Sequence, residues 1–264
     1  MYESYRSLKI ERRGAVLVVT LDNPPTNAAD IGTHRELSTI FDDIARDDAT
    51  KVVVVTGAGT RAFSAGGDID VMLDQLTNTE SLKLQFDEAQ RMLRALLALE
   101  KPVIARINGH AIGFGATLAL FCDISYAIET AKIADPHVGV GLVAGDGGAL
   151  IWPLLIGYAR AREYLLTGDA IKAAEAAMIG LITRAYATMD ELDTATYAMA
   201  ERLAGGASRA INGTKTAINL VLRGQVEGLI AAHSGLEFIS EFSADHREAV
   251  MAFKDRRKPQ FNGN

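Results

Sequence analysis

Two stretches of this chain could make the backbone itself a functional group. "RAFSAGGDID", Arg61 to Asp70, follows the apolar run "KVVVVTG", and "NGHAIGFGATLAL", Asn108 to Leu120, follows "VIARI". Each leads from a strand through small residues into a helix, so a ligand can approach the main chain closely. Each also leaves N–H groups at a helix N-terminus, where partial positive charge gathers. Taken singly, either stretch reads as a plain turn, with Asp68 as a helix N-cap. Facing one another, the two turns would offer two N–H donors to a single carbonyl oxygen, an oxyanion hole. Sequence spacing leaves that convergence open.

The elements that must position these turns follow an α/β pattern. "SLKIERRGAVLVVTLD" reads as a hairpin around Arg13-Gly14. "DIGTHRELSTIFDDIARDD" places Ile31, Leu37, Ile40, Phe41 and Ile44 on one helical face, with Asp30 as N-cap. "KVVVVTG", "VIARING", "ISYAIE" and "AKIAD" read as strands. A long amphipathic helix is expected from about Glu80 to Glu100, ended by Lys101-Pro102. "GATLALFCD" reads as a short apolar helix, and from Gly147 onward helices dominate, beginning with "GGALIWPLLIG", "ARAREYLLTG" and "IKAAEAAMIG". The alternation up to about Ile182 predicts parallel strands joined by crossovers. The tail from about Asp190 is mainly helical and lacks a core of its own, so one face must pack on its own domain or on a neighbouring subunit.

The bulk composition excludes several classes. The chain has 264 residues, 48% hydrophobic and 23% charged, with net charge −6 and pI near 5.4; these are globular proportions without a nucleic-acid footprint. Cys122 is the only cysteine, which excludes an intramolecular disulfide and a multi-cysteine metal site. No His-x-x-x-His spacing implies a metal. The N-terminus mixes both charge signs, and the apolar run "AIGFGATLALF" is too short to span a bilayer. A cytoplasmic protein with no membrane partner is the expectation.

Ordered motifs then carry a resemblance. "LDNPPTNA", "FSAGGDI", "KPVIARINGHAIGFGATLAL", "CDISYA" and "EAVMAFKDRRKPQF" occur at family-like spacing over nearly the whole length, and the chain resembles the crotonase, or enoyl-CoA hydratase/isomerase, superfamily. The resemblance implies a spiral of ββα turns over residues 1–200, with a helical oligomerisation region over 201–264. It implies a homotrimer or a dimer of trimers. It further implies an acyl-CoA substrate, with coenzyme A as part of that substrate and no prosthetic group. By motif, Gly67 and Phe114 would donate the two N–H groups that hold the thioester oxygen. Ala62, Ala65, Gly66, Asp68 and Ile69 would line the coenzyme path, while Phe253 and Arg256 resemble residues that touch coenzyme A on an adjacent subunit. Arg61 would meet a coenzyme phosphate or stand as a surface arginine.

Where the resemblance places two catalytic glutamates, this chain has Thr117 and His137. Threonine has no useful proton affinity near neutrality, whereas histidine titrates near 6.5, so water addition by two carboxylates does not carry over. His137 and Asp146, nine positions apart across a glycine-rich loop, form a candidate acid/base pair in which the carboxylate fixes the imidazole tautomer. Equally, His137 could end a strand and Asp146 could cap the following helix. The segment from residue 135 to 153 also resembles a superfamily hydrolase that cleaves a cyclic β-diketone. That enzyme has a further histidine where this chain has Phe114. The remaining histidines, His34, His110, His233 and His246, lack a partner motif and read as structural or solvated. Phe114, Met72, Leu73 and Leu142 could shape an acyl pocket, with Trp152 read as core.

Three readings follow: an acyl-CoA enzyme with an unusual acid/base pair, a hydrolase of a β-diketone or β-keto thioester, and a non-catalytic coenzyme A binder.

Overall fold

The computed structural model describes residues 1–264. Strands β1 (Leu8–Arg13) and β2 (Val16–Leu21) form the expected hairpin, and β2 pairs in parallel with β3 (Val52–Gly57). Between them lies α1 (Ile31–Ala45), begun by Asp30, whose side chain accepts the Thr33 N–H at 2.7 Å. The run of valines in β3 is buried along its whole length, as a central parallel strand covered on both faces requires.

A second, smaller sheet was not expected. After β3 the chain forms β4 (Ala62–Ser64), then α2 (Ile69–Gln75) and α3 (Thr79–Ala98). After β5 (Val103–Ile107) it forms β6 (His110–Ile112), then α4 (Phe114–Leu120). After β7 (Ile124–Ile128) it forms β8 (Lys132–Ala134), a single 3-10 turn at His137–Val140, and α5 (Gly148–Thr167). Each of these three turns of the spiral therefore deposits one strand in each sheet. The large sheet has the order β1-β2-β3-β5-β7-β10, closed by β10 (Arg184–Tyr186); the small one is β4-β6-β8-β9, closed by β9 (Ile171–Lys172). Strands β4, β6 and β8 are parallel neighbours. What read as strand-to-helix turns are thus strand–strand–helix turns, the ββα spiral the resemblance implied.

The remaining helices are α6 (Ala173–Met178), α7 (Met189–Ala204), α8 (Ser208–Ser240) and α9 (Ala244–Lys254). The expected division at residue 200 falls inside α7, which packs on the large sheet. Helix α8 lies along α3, and α9 against α2 and the 3-10 turn. The C-terminal helices thus close over the carboxyl ends of the small sheet's strands within one chain. No helix is long and apolar enough to cross a membrane.

Candidate active site

Three polar stations follow directly after β4, β6 and β8. Ligand sites of α/β proteins gather at the carboxyl ends of parallel strands, and here the three ends adjoin. Gly66 and Gly113 lie at φ +89° and +51°, backbone states that a side chain rarely tolerates. The surroundings of Gly66 leave little room for one either, whereas at Gly113 a Cβ would meet only ordinary contacts. A Cβ on Gly66 would sit 2.9 Å from the Ile112 carbonyl oxygen, and one on Gly113 would sit 4.0 Å from the Gly66 Cα and 3.8 Å from His137 Cε1.

The first station is held by buried amides. Asn27 Nδ2 donates to the Ala58 and Ala62 carbonyls at 3.0 and 2.9 Å, and Asn108 Nδ2 donates to the Gly59 carbonyl at 2.7 Å. The Ala29 N–H donates to the Gly66 carbonyl at 2.7 Å. The Gly67 N–H has no backbone or side-chain acceptor. Phe114 is the first residue of α4, where an N–H has no intrahelical partner. Both residues line one cavity of about 470 Å³.

The third station is a buried proton cluster. Asp135 hydrogen-bonds His137 at Nδ1, while Asp146 Oδ2 and Glu237 Oε1 lie 3.8 and 3.7 Å from Nε2. Thr117 Oγ1 donates to Asp146 Oδ1 at 3.1 Å, and the Gly148 N–H reaches the same oxygen at 3.4 Å. This corrects the expected geometry of the pair. Asp135, two residues upstream on the same strand end, orients the imidazole, and Asp146 faces the opposite nitrogen. Asp146 also touches the first turn of α5, so its capping reading holds in part.

Charge balance in this volume is set by protons. Burial alone would lower the His137 pKa, but Asp135, Asp146 and Glu237 outweigh it and hold the imidazole well above its ordinary value. Burial raises the Asp146 carboxyl, opposed by His137, and raises the Glu237 carboxyl well above the usual carboxylate range. Asp135, His137 and Asp146 also present ligand-type atoms within 4.8 Å of one another. A metal ion bound there would have to displace the proton that His137 carries.

A stability profile follows. Above pH 6.5 the unfolded chain has lost protons that His137, Glu237 and His246 retain when folded, since His246 is also raised, by Glu241 and the Val140 carbonyl against burial. Each extra proton in the folded state lowers unfolding free energy by about 1.4 kcal/mol per pH unit. Thermal unfolding is expected to fall in midpoint from pH 6.5 to 9, and Glu237→Gln should flatten that slope. A midpoint independent of pH over this range in both proteins would contradict the cluster's protonation.

The structure places the other expected residues unevenly. Ala65, Gly66, Asp68, Ile69 and Phe253 line the cavity with Gly67, Phe114, His137 and Asp146. Asp68 also caps α2, accepting the Asp70 N–H at 2.8 Å. Ala62 is buried in β4, and Arg256 stands exposed beyond α9; neither lines the cavity. Phe253 stands exposed at the cavity of its own chain. Met72 and Leu142 join the wall, Leu73 does not, and Trp152 is core.

His34, expected to be structural, lines the cavity, and His110 is in a strand, its Nδ1 accepting the Lys132 N–H at 3.1 Å. Sequence reasoning missed Asp135 and Glu237. Asp135 sat in view beside Pro136 and His137. Glu237 carries no local signal, because only the packing of α8 brings it to His137.

With this geometry, comparison with known proteins fixes the class. The model of the enoyl-CoA hydratase/isomerase family matches residues 11–264. The short-chain-enoyl-CoA hydratase of Clostridium acetobutylicum is 33% identical over 94% of this chain and 95% of its own length. The crotonyl-CoA hydratase of Syntrophomonas wolfei is 30% identical over 98% of both chains. Among solved structures, an enoyl-CoA hydratase/isomerase from Mycobacterium paratuberculosis superposes with a TM-score of 0.88 at 32% identity, covering 93% of this chain and 97% of that one. The chain belongs to the enoyl-CoA hydratase/isomerase family and has the crotonase fold.

Proposed function

We propose that the protein acts on an acyl-CoA thioester, holding its carbonyl oxygen at the Gly67 and Phe114 N–H groups while the α-carbon becomes enolate-like. The observation that carries this reading is the meeting of three strand ends, which puts two unpaired amides and His137 around one cavity. Donors aimed at developing charge in a water-poor site supply the largest single share of many rate enhancements. His137, oriented by Asp135, exchanges the substrate proton with the Asp146–Glu237 side of the cluster. The names of the relatives support an acyl-CoA substrate. Ala65, Gly66, Asp68, Ile69 and Phe253 would flank the pantetheine arm. Self-association as a trimer or a dimer of trimers fits the exposed apolar side chains Ile218, Val221, Ile239 and Phe242 of the C-terminal helical region.

Plain hydration fits less well, because Thr117 and His137 stand where two glutamates are expected. With crotonyl-CoA, hydration is expected below about 1 s⁻¹, the low end of ordinary turnover. Rates above roughly 10² s⁻¹ would contradict a role for those two departures.

One observation favours a second reading, hydrolysis of a β-diketone or β-keto thioester. No lysine or arginine lines the cavity, while a carboxylate-flanked histidine does. Water, losing a proton to the cluster, would add to one carbonyl; cleavage of the carbon–carbon bond would leave an enolate at the two amides, which the cluster reprotonates. A panel of acyl-CoAs and β-diketones separates these readings. Carboxylate release from a diketone without coenzyme A selects the second, and coenzyme A binding by calorimetry with no turnover anywhere selects a non-catalytic binder.

A further inference from the structure

His137 and Asp146 each commit one polar atom to the protein and turn the other toward a shared space. Asp135 hydrogen-bonds the imidazole at Nδ1. Across the ring, Nε2 faces Asp146 Oδ2 at 3.8 Å and Glu237 Oε1 at 3.7 Å, both beyond hydrogen-bond reach. Asp146 divides in the same way. Its Oδ1 accepts from Thr117 Oγ1 and from the Gly148 N–H, while Oδ2 has no partner, and Glu237 Oε2 has none either. Both acids are more than nine-tenths buried. Buried carboxylate oxygens left without a partner are costly. A proton on Nε2 lies too far from either oxygen to serve them.

An ion bonded to all three groups would serve them. Ligands of a tetrahedral zinc ion, at about 2.0–2.1 Å from it, lie about 3.3 Å from one another, so each carboxylate would swing inward by about half an ångström. The supporting bonds are those of a metal centre as well. A carboxylate on the far nitrogen of a ligating histidine, and donors on the second oxygen of a ligating acid, are the outer-shell partners that hold such ligands in place. Asp135, Thr117 and Gly148 supply them here. His137, Asp146 and Glu237 all line the cavity, which gives an ion a way in. They come from the 3-10 turn, the loop before α5 and the helix α8, so no ligand spacing registers in the sequence.

We propose that His137 Nε2, Asp146 and Glu237 form a binding site for one divalent transition cation of the zinc type, and that the ion silences the acid/base cluster by occupying the Nε2 lone pair. A nitrogen ligand beside two carboxylates selects zinc or cobalt over magnesium and calcium, which take oxygen ligands. Binding stands on the geometry alone; only the silencing rests on the proposed acid/base role of His137.

Calorimetry with zinc alone on the metal-free wild-type protein is expected to show one site per chain with Kd below about 10 µM, and magnesium should bind at least about a hundredfold more weakly. His137→Gln and Glu237→Gln should each weaken zinc binding at least about tenfold. Asp135→Asn, which removes an outer-shell partner and no ligand, should weaken it by about 10- to 100-fold. Absence of such a site, a loss smaller than about tenfold in both ligand variants, or magnesium binding as tight as zinc overturns the proposal.

Should the variants fail to fold, zinc-soaked crystals of the wild-type protein decide. An anomalous-difference peak bonded to His137 Nε2, Asp146 and Glu237 supports the site, and a peak only elsewhere, or none, overturns it. Turnover that zinc suppresses and a chelator restores supports the silencing, whereas turnover unchanged with the site loaded overturns that part. Failure of the acid/base reading is seen separately, as absence of turnover in the metal-free protein while zinc binding persists.

Discussion

Phe114→Pro is expected to lower kcat about 10²- to 10³-fold, while Phe114→Ala stays within roughly tenfold of wild type. The pair isolates one atom. Phe114 is the first residue of α4, a helical position that accepts proline because its N–H has no intrahelical partner. Proline therefore deletes the amide donor and keeps the helix. Alanine deletes the ring and keeps the donor. A loss of 10²- to 10³-fold corresponds to about 3–4 kcal/mol of barrier, the size reported by removal of one oxyanion donor elsewhere. Equal rates in the two variants would mean that the ring, and not the amide, matters. The control measurement is the circular dichroism melt, in which both proteins should retain a cooperative transition.

His137→Ala is expected to reduce kcat by about 10²- to 10⁴-fold, the range of a lost general acid/base. Asp146→Asn should fall by a smaller factor, because Asp135 still orients the ring through Nδ1. Removing the imidazolium also leaves Asp146 and Glu237 buried without their cation, so His137→Ala should lower the thermal midpoint at neutral pH. His137→Gln, with similar volume, tests the rate if the alanine variant folds poorly. Unchanged turnover in both His137→Gln and Asp146→Asn would remove the cluster from the chemistry.

Much of this architecture was legible in the sequence because its long elements carry clear periodicity. The hairpin at Arg13-Gly14, α1 with its Asp30 cap, the valine strand β3 and the amphipathic α3 all read directly from pattern. "GGALIWPLLIG" and "ARAREYLLTG" read as two helices, and the span α5 is broken between them at Gly157, whose φ of +77° and ψ of 159° are non-helical. Of the small sheet only β8 was legible, within "AKIAD". Strands β4 and β6 are three residues long and β9 only two, too short for alternation to register, and the pairing arises from the spiral rather than from local preference.

The same division holds in the site. Gly66, Gly113 and His137 announce themselves through motifs, since the backbone there must adopt states or approaches that few residues permit. Glu237 does not, because a single buried acid in the 33-residue helix α8 has no pattern until tertiary packing sets it beside His137.

The carbonyl stretch of bound butyryl-CoA, followed by infrared difference spectroscopy with a ¹³C label at the thioester carbon, interrogates the two amides without requiring turnover. In wild type the band should move to lower frequency than in water, and Phe114→Pro should return it most of the way. A wild-type band at its aqueous position would mean that positions 67 and 114 do not polarise a substrate oxygen.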